Sequence, residues 1–348
     1  MKLFDRALHT PMGRRQLLRA ASAAVVAPAL AACSDSSMAQ TAPVELQNAI
    51  HDFARLEPDM TGALVRADVP DSPWAASYFP ERQLFVGSAI KTFILGQFLR
   101  DSEVSRNGIT GDSTVEVSDL RRSPGGGVFE GLTGTTHYRN VLEAMIAHSD
   151  NTATDIAIAQ AEPARVRALI AEAGLAQTQI PDSTRMEFSY LAGAPLGVDI
   201  GWAGTQNIDG LGYTARSTVI NPDVAMLSSP NDMVSWYQQA LSGKFFAKPA
   251  TLKEFKRISA MANAMPVIVP DDTVAYGKGG SIDWAGFHCI CVAGQMRVRD
   301  VPVTFCFVLN WKSESSNSMT RSGEFVAPIV RALEAVSTSI KQMYPRKA

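Results

Sequence analysis

The sequence predicts an α+β protein: an antiparallel sheet flanked by helices and built from both chain ends, with an all-α domain inserted between its parts. Three observations carry that expectation. Strand-like runs bounded by turn residues lie early in the chain and again near its end. The stretch between them is dominated by helical apolar periodicity, and no internal repeat is visible. The expected boundaries are a sheet domain over 44–103 and 233–345 and an inserted helical domain over 104–232.

The 348 residues, 46% hydrophobic and 19% charged, are ample for a sizeable core. The formal net charge of −2, with no basic stripe and no aromatic-basic interleaving, argues against a nucleic-acid partner. The five histidines are scattered, none in a metal-binding spacing, and no cofactor is expected.

Residues 1–32 read as a targeting segment. "GRRQLLRAASAAVVAPALAAC" runs from two arginines through a short apolar stretch to small residues ending at Cys33. The apolar part is too short for a permanent membrane span. Arg14–Arg15 resembles a twin-arginine export signal, and "LAAC" resembles a bacterial lipobox with Cys33 as the lipidated new N-terminus. The alternative is an ordinary signal cut nearby, after Ala39 for example. Either way the expected location is the periplasm. In the lipobox reading the only membrane contact is the lipid on Cys33, with 33–43 as a tether.

The elements follow in order. "PVELQNAIHDFARL" (43–56) is an amphipathic helix. "GALVRADV" and "WAASYFP" are two strands joined by "PDSP". A helix opens at Ser88 and runs to about Arg100. Within 104–232, interrupted at "SPGGG" and "GLTGTT", the clearest helices are "HYRNVLEAMIAHSDNTATDIAIAQ" and "EPARVRALIAEAGL". "SSPNDMVSWYQQALSG" has a Ser-Ser-Pro entry and a Gly exit, a further helix. "TVAYGKGG", "FHCICVAGQ" and "PVTFCFVLNW" are strands, and a helix over about 322–342 closes the chain. Cys289 and Cys291, two apart on a strand, share a face, with His288 on the other. Buried structural thiols are expected there, a disulfide to Cys306 and a metal site being the lesser alternatives.

One short run carries the chemistry. In "VGSAIKTFIL", Ser88 and Lys91 stand three apart at a helix start, so they share a face and would touch. A serine hydroxyl is a weak nucleophile until a base removes its proton, and a buried lysine with a depressed pKa can be that base. The helix N-terminus would hold a developing oxyanion. Alone, S-x-x-K also fits a solvent-facing lysine.

Two further motifs change the weight. Ser149-Asp150-Asn151 lies about sixty residues on, and Lys278-Gly279-Gly280 ends a strand. In this order the three resemble the class A β-lactamases and the wider penicillin-recognising serine hydrolases, with their S-x-x-K, S-D-N and K-[ST]-G. The likeness extends to "NVLEAMIAHSDNTATDIAI" and "LSSPNDMVSWYQQALSGK" and spans roughly 44–343. It implies a β-lactamase/transpeptidase-like fold and a set of roles. Ser88 is the acylated nucleophile and Lys91 its proton acceptor. Ser149 relays a proton to the leaving nitrogen, and Asn151 binds the substrate amide. Lys278, with Gly280 beside it, holds the substrate carboxylate, and the N–H groups of Ser88 and Ser281 form the oxyanion hole. Asp150 is expected to brace its loop, and Tyr138-x-Asn140 to be a chance match to the Y-x-N of class C relatives.

The chain departs from the pattern twice. Gly279 lacks the usual hydroxyl, a bond to a carboxylate worth roughly 1.5–3 kcal/mol. In "TRMEFSYLAG", Arg185-x-Glu187 resembles the loop that supplies the water-activating base, yet Leu191 stands where an Asn is expected and a long Gly-rich stretch follows. Glu187 is accordingly read either as that base or as a surface carboxylate. The expected activity is opening of β-lactam rings by a monomer acting on a small acyl donor. The alternatives are a D,D-peptidase or esterase acting on a peptidoglycan-like donor, and a lipoprotein that binds β-lactams and turns over slowly.

Overall fold

Spacing places the first helix: in α1 (Val44–Ala54), Leu46, Ala49, Ile50 and Phe53 form one buried stripe. The computed structural model describes residues 42–345, so the Arg14–Arg15 pair and Cys33 lie outside the described residues. Strands β1 (Thr61–Ala67) and β2 (Trp74–Tyr78) pair antiparallel. The two-residue β3 (Leu84–Phe85) leads into a single 3₁₀ turn, Gly87–Ile90, and then α2 (Lys91–Glu103).

The middle of the chain holds β4 (Thr114–Val117), β5 (Gly134–His137), α3 (Tyr138–Ala147), α4 (Asn151–Ala161), α5 (Pro163–Glu172), α6 (Thr184–Leu191) and the short α7 (Gly201–Gln206). After β6 (Leu227–Ser228) come α8 (Pro230–Leu241), α9 (Pro249–Ser259) and α10 (Met265–Ile268). Three long strands, β7 (Val274–Trp284), β8 (Phe287–Val298) and β9 (Val301–Lys312), precede the closing α11 (Ser322–Met343).

The five-stranded antiparallel sheet has the order β2-β1-β9-β8-β7, so both chain ends build it, as the strand pattern predicts. Its two faces are told apart by alternation. Phe307 turns toward α1 and α11, meeting Phe53 edge-on at 5.1 Å, while Phe53 meets Phe325 at 5.6 Å. Gly62, opposite the neighbouring Val308, faces α8 so closely that a Cβ there would come within 2.9 Å of the Pro230 ring. Ser229 caps α8 by accepting from Asp232 N at 3.1 Å, as the Ser-Ser-Pro entry implies. Trp236 then locks α8 to α2: its Nε1 donates to Thr92 at 2.8 Å, and a Cβ at Gly96 would meet the indole at 2.8 Å.

Several local expectations need correction. The segment after α2 carries a β4–β5 hairpin whose strands are mostly exposed and too short to show an alternating apolar face. Helix α9, "PATLKEFKRIS", is amphipathic with Pro at its first position, yet it escaped the reading from periodicity. Lys278 does not end a strand; β7 runs on to Trp284, because the glycines leave the backbone paired with β8 while carrying no strand-forming side chains. Cys289, Cys291 and Cys306 are free and buried, and Cys289 donates to the Phe85 carbonyl at 3.0 Å. His288 sits between Asp283, 2.7 Å from Nδ1, and the Ser313 carbonyl, 2.9 Å from Nε2.

Candidate active site

Ser88 lies inside the 3₁₀ turn, not on the first turn of an α-helix; the α-helix starts at Lys91. Gly87, at φ +52°, makes the reversal that an L side chain would resist. Ser88 is partly exposed while Lys91 is fully buried. The expected Ser88–Lys91 contact takes a different form. The Lys91 ammonium donates to the Ser149 carbonyl at 2.5 Å, to Asn151 Oδ1 at 2.7 Å and, more weakly, to Ser149 Oγ at 3.4 Å. Those acceptors come from the loop before α4 and from the first residue of α4, so the motif partners Ser149 and Asn151, rather than Ser88, hold the amine.

The S-D-N loop is itself held. Ser149 takes φ +59°, a left-handed backbone uncommon outside glycine, and this turns its carbonyl onto Lys91. Asp150 caps α4, accepting from Ala153 N at 2.7 Å, and also receives Val128 N at 2.9 Å and Phe129 N at 2.7 Å. Gly126 lies so close that a Cβ would meet that carboxylate at 2.9 Å. Asn151 is engaged at both ends, its Nδ2 donating to the Pro124 carbonyl at 2.7 Å. Tyr138 and Asn140 are spent elsewhere, on Gln160 and Thr136.

Lys278 comes from the far side. Buried within β7, it donates to Ser149 Oγ at 3.0 Å and to the Gly279 carbonyl at 2.7 Å. Ser149 Oγ therefore lies between two buried amines. Burial pulls Lys91 down to about 7, against the opposing fields of Asp150 and Asp155. Lys278 is lowered well below the ordinary lysine range by burial first and by Lys91 second. A neutral amine beside a hydroxyl can accept its proton, which is what nucleophile activation needs.

Gly280 has a steric role. A Cβ there would sit 2.1 Å from the Val86 carbonyl and 2.8 Å from Ser88 N and Ala89 N. The strand carrying Ser281 thus lies against the turn carrying Ser88, which brings the two backbone N–H groups proposed to hold an oxyanion onto touching elements. Gly280→Ala should force strand and turn apart. We expect acylation at least about tenfold slower and roughly 1–3 kcal/mol of lost stability from overpacking, read by acylation kinetics and thermal denaturation. Gly279 faces the other way, where a Cβ would meet Ala264 at 3.0 Å. The missing hydroxyl thus goes with a tight contact on that side of β7.

Glu187 is not a surface carboxylate: it is buried, and its Oε1 accepts Met226 N at 3.1 Å. The Met226 carbonyl in turn takes Val86 N at 2.9 Å, two residues before Ser88, so Glu187 is tied to the segment that carries Ser88. Burial pushes its carboxyl up to about 8, the Met226 amide opposing and the Asp155 charge adding a smaller push in the same direction. Leu191 is fully buried.

Two residues that the motifs did not single out, Asp199 and Asp155, hold α6 in place. Arg185 is buried and pairs with Asp199, 2.8 Å and 2.7 Å from its two nitrogens, while also donating to the carbonyls of Asp119, Leu120 and Arg122. Asp155 accepts from Thr184 N at 2.6 Å and Arg185 N at 3.0 Å. Asp199 sits in the long Gly-rich stretch with no local signal. Asp155 had one available, its i+4 spacing from Asn151 on an otherwise apolar helix face.

A helical layer and an antiparallel sheet meeting at a serine flanked by two buried lysines define the class: the fold is that of the penicillin-recognising serine hydrolases. The profile of the beta-lactamase enzyme family matches residues 45–296, and the chain belongs to that family of hydrolases. Its fold is similar to that of the TLA-3 extended-spectrum beta-lactamase (TM-score 0.65, 14% identity, 86% of this chain and 99% of that one). It is similar as well to a beta-lactamase from Sphaerobacter thermophilus (TM-score 0.63, 16% identity, 86% and 98%) and to PBP-A (TM-score 0.62, 18% identity, 86% and 97%). No curated protein matches the chain.

Proposed function

We propose that the chain is an exported, class A-like serine hydrolase that opens β-lactam rings through an acyl-enzyme on Ser88 and then hydrolyses that ester. The observation that carries this reading is the convergence of Lys91 and Lys278 on Ser149 Oγ, at 3.4 Å and 3.0 Å, beside the turn that presents Ser88. Neutral Lys91 takes the Ser88 proton as Oγ bonds to the lactam carbonyl carbon. The N–H groups of Ser88 and Ser281 receive the oxyanion. As the carbon–nitrogen bond breaks, Ser149 gives its proton to the nitrogen and regains one from the Lys91 ammonium. Asn151 has one amide hydrogen left for the substrate amide, and Lys278 faces the substrate carboxylate. Water then attacks the ester, with Glu187 as its base, and Ser88 recovers its proton. Family membership supports a β-lactam donor, as does a PBP-A variant solved as an acyl-enzyme complex with penicillin G.

A second reading, slow release after acylation as in a binding lipoprotein or peptidase, is favoured by Glu187 being buried and by Leu191 standing where an amide would hold water. The purified mature chain mixed with a chromogenic cephalosporin separates them. Steady turnover supports the hydrolase, a single burst supports the second reading, and neither burst nor adduct overturns both.

Export and lipidation belong to the same proposal, supported by Arg14–Arg15 and the "LAAC" run. Cys33→Ala should move the protein from the membrane to the soluble periplasmic fraction, and Arg14→Lys with Arg15→Lys should block export, both read by fractionation and immunoblot. Wild-type protein that is soluble with an unmodified Cys33 defeats the lipid anchor and leaves the chemistry untouched.

A further inference from the structure

Helix α4 presents two residues, one turn apart, to the two groups proposed to handle protons. Asn151 holds the Lys91 ammonium at 2.7 Å. Asp155, four residues on and on the same face, is buried and takes the first two amides of α6, Thr184 N at 2.6 Å and Arg185 N at 3.0 Å. Ser183 takes the third, Met186 N, at 3.1 Å. Glu187 N then bonds to the Ser183 carbonyl at 3.3 Å, so the start of α6, and with it the backbone of Glu187, is set by Asp155. We propose that Asp155 is a positioning residue for the reaction, one buried carboxylate that seats the helix carrying Glu187 and sets the charge balance between Glu187 and Lys91. The proposal rests on the reading of Glu187 as the deacylating base.

The surroundings make Asp155 the charge that both groups feel. On α6 its field reaches Arg185 and Glu187, and at the start of α2 it reaches Lys91; Asp150, at the head of the same helix, is turned to Val128 N, Phe129 N and Ala153 N. The charged groups of α3 and α5 are turned to other partners: Arg139 to Asp112, Glu143 to Arg257, Arg165 to Asp101, Arg167 to Asp182 and Glu172 to Arg100. Burial raises the Asp155 carboxyl to about 6, with the Thr184 and Arg185 amides opposing. When Asp155 is ionised its field keeps a proton on Glu187 and on Lys91 alike. It therefore holds back both bases until the pH exceeds their range.

The test is Asp155→Asn, which keeps the shape and one acceptor but removes the charge. An infrared titration of the buried Glu187 carboxyl, its band assigned with Glu187→Gln, reads the effect without substrate. The Glu187 midpoint should fall by about one pH unit, and the acidic limb of the deacylation rate should move with it. A purely structural cap would lower the rate at every pH and leave the midpoint where it is; that result overturns the proposal. If Asp155→Asn does not fold, Thr184→Pro removes one amide from Asp155 at a helix position that tolerates proline. It should move the Glu187 midpoint in the same direction by less, and an unmoved midpoint overturns the proposal there too. If no β-lactam acylates the wild-type chain, the functional reading fails while the infrared shift still decides the role of Asp155.

Discussion

Ser88→Ala abolishes labelling by a radioactive or fluorescent penicillin, and in the wild-type chain the adduct maps by mass spectrometry to the peptide containing "VGSAIK". The loss should be complete because Ser149, the other serine hydroxyl of the three motifs, is committed between Lys91 and Lys278. Lys91→Ala should fold, since an alanine satisfies the same helix, but should acylate more slowly by about 10²–10⁴, the span a positioned general base contributes. The two variants separate chemistry from binding. If Lys91→Ala acylates at the wild-type rate, the proton leaves by another route. Labelling that persists in Ser88→Ala removes the nucleophile assignment altogether.

Glu187→Gln should still acylate and should then retain the adduct, with a burst followed by deacylation slowed about 10²–10⁴-fold. In the wild type, a carboxyl pushed up to about 8 is only roughly a tenth ionised at pH 7, so deacylation should rise with pH through about 8 before levelling. The same shift carries a stability consequence. Below the unfolded carboxyl's value both states keep the proton and nothing is lost. Between there and about 8 the folded state holds a proton that the unfolded state has released, so stability falls as pH rises. Gln keeps the acceptor for Met226 N and cannot ionise. Glu187→Gln should therefore be more stable than wild type at pH 8 by at least about 1.4 kcal/mol, the value of one pKa unit, and nearly equal to it at pH 4. Chemical denaturation at the two pH values checks this. Wild-type turnover by Glu187→Gln would shift the water-activating role to another group, Lys91 being the nearest candidate. On the family resemblance Leu191 stands where an amide would help hold the water, so the native rate should be modest.

Much of the candidate site was legible because its signals are local. Three short motifs, each needing only a few neighbours in sequence, named Ser88, Lys91, Ser149, Asn151 and Lys278, and strand alternation placed Cys289 and Cys291 on one buried face. The five strands of the main sheet and most of the long helices followed from apolar periodicity and from turn residues such as Ser229-Pro230, while α6 and α9 did not. The hairpin of β4 and β5 was not legible, since its few exposed residues leave no apolar pattern to read.

By itself, then, the sequence determined which groups are present, how they are spaced along each element, and the family resemblance those spacings carry. The tertiary structure decided what those groups do to one another. It spent the Lys91 donors on Ser149 and Asn151 instead of Ser88. It sank Glu187 where a surface carboxylate was one reading, brought Asp155 from helix α4 and Asp199 from the following loop onto α6, and made Gly280 a matter of contact with Val86. The physical reason is range. Periodicity and capping depend on residues a turn apart. A pKa or a hydrogen-bond partner depends on which segments, 60 residues apart for Lys91 and Asn151, exclude water from the same few ångströms.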